Sequence, residues 1–324
     1  MVDIRTTYMG LPITTPFIVS SSSLTQTPEK IQQCAAAGAG AVVVKSLFEE
    51  EIEAAIQEDA GGTEHTEAED YIRQLQTDAG ITAYAHLIHR AKETVEIPVI
   101  ASINAVTRNW WEQHVPSLER AGADAVELNI SRLPRDYSQG EEDILTFYTE
   151  TVRAVAQHVS IPIAVKVGPH FTNIPALIDS LSWAGASTVV LFNRFYQLDI
   201  NLKDLTLTSG SPFSTSQDLA LPLRWISLTY GRSKAELAIS TGVHSGHDAV
   251  KGLLVGAQGI QVCSALYKNS VEYLQTMRED LTQWMEEHKF STIQQLRGKL
   301  SQKRSDAPEE FERLQYIKAL SGGR

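Results

Sequence analysis

GADAVELN (122–129) is a Gly-Ala step that leads within two residues into an apolar run ending in asparagine. The step recurs at Gly38-Ala39, Gly185-Ala186 and Gly256-Ala257, leading into AVVVK (41–45), VVLFN (189–193) and IQVCS (260–264). Each copy follows a helix-like stretch, so each glycine is expected to end a helix in the left-handed region and each run to enter a buried strand. PFIVS (16–20), PVIASIN (98–104), PIAVKV (162–167) and LAIST (237–241) supply four further strands in the places between. Two of these follow the same Ile-Pro step, at Ile97-Pro98 and Ile161-Pro162.

Strands that read as near-unbroken apolar runs are buried on both faces, which implies parallel pairing beneath covering helices. Eight strand–helix units therefore predict an α/β fold, a closed (β/α)8 TIM barrel. The 324 residues fit one such barrel of about 250 residues plus insertions. Insertions are expected after strands 2, 4 and 6, the two longest at 46–97 and 194–236. A doubly wound open sheet would want a Gly-rich dinucleotide turn after an early strand, whereas strand 1 runs into Ser20-Ser21-Ser22-Ser23-Leu24. Residues 1–290 are expected to form the barrel and 291–324 a helical tail packed on it or on a partner subunit. The tail shows amphipathic spacing in Ile293, Leu296 and Leu300 and again in Phe311, Leu314, Ile317 and Leu320.

With 43% hydrophobic and 21% charged residues the chain has ample core, and no apolar run approaches the ~20 residues a membrane span needs. MVDIRTTYMGLPI carries no targeting signal, so no membrane and a cytoplasmic location are expected. Cys34 and Cys263 form no disulfide framework and have no metal-ligand spacing, so no metal is expected and both read as small core residues. A formal net charge of −11 argues against a nucleic-acid surface. The basic stretch Lys299 to Arg304 reads as a solvated helix face.

Chemistry in a barrel of this kind sits at the carboxyl ends of the strands. Those ends carry Lys45 and Ser46, Ser102 and Asn104, Glu127 and Asn129, Lys166, and Asn193. A lysine inside a buried apolar run is rare unless paired, because an unpaired ammonium is expensive to desolvate. Lys45 and Lys166 thus suggest a bound anion or electron-rich ligand, or else structural ion pairs with Glu127 or Glu49. The asparagines serve equally well as caps for strand-end backbone groups. STGVHSGHD (240–248) after strand 7 and Cys263-Ser264-Ala265-Leu266 after strand 8 fit the phosphate site such barrels commonly build there, with Gly242 and Ser264 the best candidates.

These residues resemble the FMN-dependent dihydroorotate dehydrogenases, particularly the soluble class 1 branch, and the related flavin domain of dihydropyrimidine dehydrogenase. The resemblance covers about 1–270 and is carried by TYMGLPITTPFIVSSSSLT (7–25), VVVKS (42–46), IPVIASI (97–103), GADAVELNIS (122–131), IPIAVKV (161–167), LPLRWISL (221–228) and STGVHSGHDAVKGLLVGAQGIQVCSAL (240–266). It implies FMN across the barrel mouth, with its phosphate at Gly242, Val243, Cys263 and Ser264 and its ring against Ser21 and Ser22. Lys45 and Ser46 would face flavin and substrate. Lys166 would sit near the flavin N1/O2 edge, where positive charge eases hydride acceptance. Asn129 and Asn193, and also Asn104, match positions that hydrogen-bond flavin or substrate. A homodimer and a small-molecule substrate are implied, with hydride passing from a CH–CH bond of a dihydropyrimidine-like ring to flavin N5.

The departure lies after strand 4. There the family continues into Cys-Pro-Asn, whose cysteine is the general base, but this chain reads Asn129-Ile130-Ser131-Arg132-Leu133-Pro134-Arg135-Asp136-Tyr137. Arginine is never deprotonated at ordinary pH and cannot stand in for a thiolate base. Facing the flavin, Arg132 would clamp a carboxylate on the substrate, with Ser131, Asp136 or Tyr137 left to move a proton; the other reading of Arg132 is an outward loop residue. The Asn-rich substrate loop expected after strand 2 is replaced by an acidic, helix-like segment from Glu49 to Asp70. Two other functions fit the same residues: a lyase or aldolase using Lys45 or Lys166 as Schiff-base nucleophile on a phosphorylated substrate, and a flavin-binding relative without turnover.

Overall fold

The computed structural model describes residues 2–51, 66–104, 107–132, 136–194, 197–312, 317 and 320. Its barrel strands are β1 (Phe17–Val19), β2 (Ala41–Val43), β3 (Val99–Asn104), β4 (Ala125–Asn129), β5 (Ile163–Val167), β6 (Thr188–Leu191), β7 (Glu236–Ile239) and β8 (Gly259–Val262). All eight fall on the apolar runs. They pair in parallel and in chain order, and β8 returns to β1 through Ile260 opposite Phe17, so the sheet closes into a (β/α)8 barrel. Helices α1 (Pro28–Ala36), α2 (Thr66–Thr94), α3 (Arg108–Arg120), α4 (Glu141–Ala156), α5 (Ile174–Ala184), α6 (Ala220–Thr229), α7 (Gly246–Val255) and α8 (Tyr273–Glu287) cover its outside. The four Gly-Ala glycines close their helices at φ between +92° and +121°.

The barrel interior has two levels. At the amino end Ile18, Ala41, Val43, Ile100, Ala125, Ala164, Val190 and Ala238 form an apolar layer. Its alanines leave room for Tyr8 and Met9, which are 1% and 2% exposed. Both come from the antiparallel hairpin Thr6–Tyr8/Leu11–Ile13, which plugs that end; the Met9 N–H donates to Glu236 at 2.7 Å. Above this layer the interior turns polar, with Ser102, Glu127, Lys166 and Gln261 all buried. The plug thus closes the barrel interior at its amino end.

Three excursions lie where insertions were expected. After β2, Leu47–Phe48 adds to the edge of β3 and α2 follows from Thr66; helix is present at 49–51 and from 66 onward, while 52–65 of the acidic segment lie outside the described residues. After β4 the chain loops to Gly140 before α4. After β6 it forms a protruding hairpin, Leu198–Asn201/Thr206–Ser209, that exposes Leu198, Ile200, Leu202, Leu205 and Leu207.

The described part of the tail packs on its own barrel. Ile293 and Leu296 are fully buried, and the N–H groups of Gly298 and Leu300 donate to Leu253 and Leu254 at 2.9 and 2.8 Å. The Leu300, Ile317 and Leu320 side chains are exposed, and Leu314 lies outside the described residues. Lys299, Lys303 and Arg304 are exposed, as a solvated face requires, but the stretch is a turn and the short 3-10 segment Gln302–Arg304 rather than a helix face. The backbone bonds to α7 break any continuing helix, Ser301 and Gln302 turn inward, and Lys303 Nζ donates to Gly231 O at 2.5 Å. No helix among the described residues is long and apolar enough to cross a membrane.

Candidate active site

Strand ends β1, β5, β6, β7 and β8 surround a cavity of about 160 Å³ whose walls include Ser21, Lys166, Asn193, Arg194, Gly242, Val243, Gln261, Cys263 and Ser264. Lys166 forms its floor. The residue is 7% exposed, and no carboxylate among the described residues lies within ion-pair distance of its ammonium. Instead Lys166 Nζ donates to Gln261 Oε1 at 2.9 Å, Ser20 Oγ donates to the same oxygen at 3.0 Å, and Gln261 Nε2 donates to Glu127 Oε2 at 2.5 Å. Glu127 is buried and its other oxygen has no partner. A neutral amide therefore stands where a direct Lys166–Glu127 ion pair was allowed. The arrangement keeps the cation directed toward the cavity rather than quenched. Lys45 pairs with neither Glu49 nor Glu127: its Nζ lies 3.2 Å from both oxygens of Glu51, in an exposed pair of small energetic value. Glu49 accepts from Thr107 N and Oγ1 at 2.9 and 2.6 Å.

Opposite Lys166 the chain turns through two consecutive left-handed residues, Thr241 (φ +74°) and Gly242 (φ +83°). A β-branched residue there is strained, a cost that concentrates at functional turns. Ser214, from the loop before α6, closes this corner. Its Oγ lies 3.4 Å from Gly242 N and 3.0 Å from His244 Nε2, its N–H donates to Ser264 Oγ at 3.0 Å, and its carbonyl accepts from Lys268 Nζ at 2.8 Å. Burial, reinforced by Lys268, lowers the His244 pKa, so the imidazole is neutral at neutral pH. Burial also pushes the Cys263 thiol up, so Cys263 contributes shape rather than a thiolate.

The turn is fastened by Asp248. Burial alone would raise its pKa, but hydrogen bonds from Lys251 and the His244 N–H outweigh it and hold the carboxyl below the usual range. A depressed carboxylate contributes stability above its unfolded pKa that is lost as pH falls through the folded one. Unfolding free energy is therefore expected to decline as pH drops below about 4, and Asp248→Asn should flatten that part of the profile in denaturant titrations run from pH 6 to pH 3.

Several expected site residues do converge. Ser21 Oγ bonds Ser46 Oγ at 2.9 Å and Ser46 Oγ bonds Ser102 Oγ at 2.7 Å, a hydroxyl chain running from the cavity into the barrel. Asn193 Nδ2 donates to Asn129 Oδ1 at 2.9 Å. Ser22 caps the turn Ser23–Thr25 and pairs with the thiol of the wall residue Cys263 without lining the cavity itself, while Asn104 is half-buried opposite Phe48, outside the cavity. Ser131, Arg132 and Tyr137 are exposed and line no part of it, contrary to the roles their sequence positions suggested. The reason lies in α4. Tyr148 donates to Ile130 O at 3.1 Å and accepts from Arg132 N at 3.3 Å, which turns the loop outward and lays the Arg132 guanidinium 4.4 Å over Phe147. The outward reading of Arg132 is the one the geometry matches.

Sequence reading missed Gln261, Arg194, Ser214 and Lys268. Gln261 had a signal, a polar residue inside an apolar strand; so did Arg194, immediately after Asn193. Ser214 lies on a loop and Lys268 on the short helix Ser264–Asn269, and no local pattern encodes the approach of the two. Among the described residues no group of three or more His, Cys, Asp or Glu could hold a metal ion.

Fold and site define a class: a (β/α)8 barrel with a strained glycine turn and a buried, uncompensated lysine at its carboxyl mouth. The chain belongs to the dihydroorotate dehydrogenase family, whose model matches residues 3–285. It is 25% identical over 309 residues to the catalytic subunit of dihydroorotate dehydrogenase B (NAD(+)) of Thermoplasma volcanium, covering 92% of this chain and 98% of that one. A putative dihydroorotate dehydrogenase A (fumarate) of Aeropyrum pernix is 29% identical over 229 residues, 68% of this chain and 72% of its own length. The chloroplastic dihydropyrimidine dehydrogenase (NADP(+)) of Arabidopsis thaliana is 22% identical, over 91% of this chain and 76% of its own. Membership places the chain among oxidoreductases.

Proposed function

We propose that this chain holds FMN at the barrel mouth and dehydrogenates a CH–CH bond of a dihydropyrimidine-like ring. The observation that carries the reading is Lys166, a buried cation with no carboxylate partner among the described residues, in a cavity also walled by Gly242, Val243 and Ser264. A buried ammonium is tolerated when an electron-rich group completes its surroundings. A dianionic phosphate suits the Gly242 turn beside Ser264, and Lys166 suits the pyrimidine edge of a flavin. When bound, the flavin supplies a two-electron acceptor. Lys166 would hold positive charge against it, Asn129 and Asn193 would orient the ring by their amides, and Ser21 with Ser46 would fix its near edge.

The purified protein is expected to be yellow, and anaerobic dihydroorotate or dihydrouracil should bleach the band near ~450 nm. Protein that neither carries nor takes up FMN overturns the reading. Lys45 and Lys166 act on this proposal as bound cations, so borohydride with a carbonyl compound should leave no covalent adduct by mass spectrometry. A cytoplasmic location and a homodimer belong to the same proposal. The hairpin that exposes Leu205 and Leu207 (83% and 72% exposed) is the surface best suited to a partner copy. Leu205→Asp with Leu207→Asp is expected to halve the mass seen in light scattering while leaving the melting temperature of the barrel within a few degrees.

A further inference from the structure

Gln261, 1% exposed on β8, stands between the two buried charges of the barrel interior. Ile260 and Val262 on either side of it belong to the apolar cluster shared with the helices, so strand alternation turns Gln261 inward. Both ends of its amide are in use. Oε1 accepts from Lys166 Nζ at 2.9 Å and from Ser20 Oγ at 3.0 Å, while Nε2 donates to Glu127 Oε2 at 2.5 Å and lies 3.5 Å from Tyr8 Oη. These partners fix which end is which, because the reversed amide would set NH2 against an ammonium and a carbonyl against a carboxylate. Burial, with Glu127 beside it, pushes the Tyr8 phenol up, so Tyr8 adds no charge to the set. An ammonium carries three donors, and among the described residues Lys166 Nζ has no hydrogen bond besides the one to Gln261.

The attraction between two charges weakens with distance. A carboxylate in contact with Lys166 would cancel the cation where a ligand meets it, whereas one held an amide further away steadies the buried charge and leaves the cavity positive. Lys166 and Gln261 both line that cavity. We propose that Gln261 is a positioning residue: by keeping Glu127 one amide away from Lys166, it reserves the ammonium for a ligand at the mouth and so makes the site hold that ligand more tightly once it has gained negative charge. The inference rests on the flavin reading for which ligand that is, and on the interior network alone for the state of Lys166.

The exchange Gln261→Glu with Glu127→Gln conserves net charge and side-chain composition and changes how far the carboxylate lies from Lys166. In flavin-free protein, acetylation of Lys166 by acetic anhydride, read by mass spectrometry with Lys45 as internal standard, is expected to be about tenfold slower in the exchanged chain than in the unaltered one, the effect of a carboxylate brought into contact. With FMN bound, the ratio of affinities for its reduced and oxidised forms should fall about tenfold, a midpoint potential lower by ~30 mV for a two-electron couple. A purely structural role would lower the melting temperature and leave both ratios where they are. Gln261→Glu alone brings the same carboxylate to Lys166 with Glu127 kept, and should slow acetylation likewise. A Lys166 that is unreactive in the unaltered chain, or equally reactive in the exchanged one, overturns the proposal, as does an affinity ratio that the exchange leaves unchanged. Slower acetylation in protein that takes up no FMN upholds the proposal and removes the flavin reading.

Discussion

Lys166→Met is expected to yield colourless protein whose affinity for added FMN is down about 100-fold, the loss that follows when one charge-assisted contact disappears from a buried site. The substitution should also lower stability, because Glu127 loses the cation that Gln261 relays to it and stays buried with one oxygen unpartnered. Breaking one side of a buried charge arrangement is costly, whereas removing both sides is often neutral. Lys166→Met combined with Glu127→Gln should therefore recover most of the stability and none of the FMN binding. Fluorescence titration with FMN and urea unfolding of both variants check the two halves separately. Normal FMN affinity in the single variant would contradict the role assigned to Lys166.

Gly242→Ala is expected to be the most damaging methyl group that can be added at the mouth. A Cβ there would lie 2.2 Å from Leu219 N and 2.6 Å from its Cα, so the obstacle is backbone, and the residue sits at φ +83°. Left-handed strain and overpacking together amount to about 3–5 kcal/mol. Gly10 separates the two contributions, since its φ is +75° and no atom lies within 4 Å of an added Cβ. Gly10→Ala should cost only about 1 kcal/mol. Comparable losses for both in urea unfolding would show that the close approach of Leu219 carries no weight.

The barrel was legible because its signal repeats: the same glycine step, the same apolar run, and no polar alternation to suggest an exposed sheet face. The convergence of Lys166, Asn193 and Gly242 on one cavity was legible for a related reason, since all three sit at strand ends whose place the strand count fixes. What failed was direction. Whether Arg132 turns inward depends on Tyr148, sixteen positions away on α4, and no spacing rule carries that contact. Tyr8 and Met9 were visible as apolar residues, but their use as a plug follows from the alanines of four different strands, a volume match that only assembly reveals. The tail divided in the same way: Ile293 and Leu296 found the barrel, and Leu300 did not.

The closing seam, where Phe17 meets Ile260, has a bearing on how the molecule comes into being. The first strand waits for the last, and the bridge between Asp3 and Thr292 comes later still. A chain emerging from the ribosome at ~5–20 residues per second spends many seconds with its first strand edge unpaired. Throughout that interval the apolar runs that make the finished barrel are also its most adhesive surfaces, and ring closure over so long a loop is slow. Synthesis and folding of this protein are thus consecutive events, with the nascent chain most in need of shielding just before its eighth strand appears.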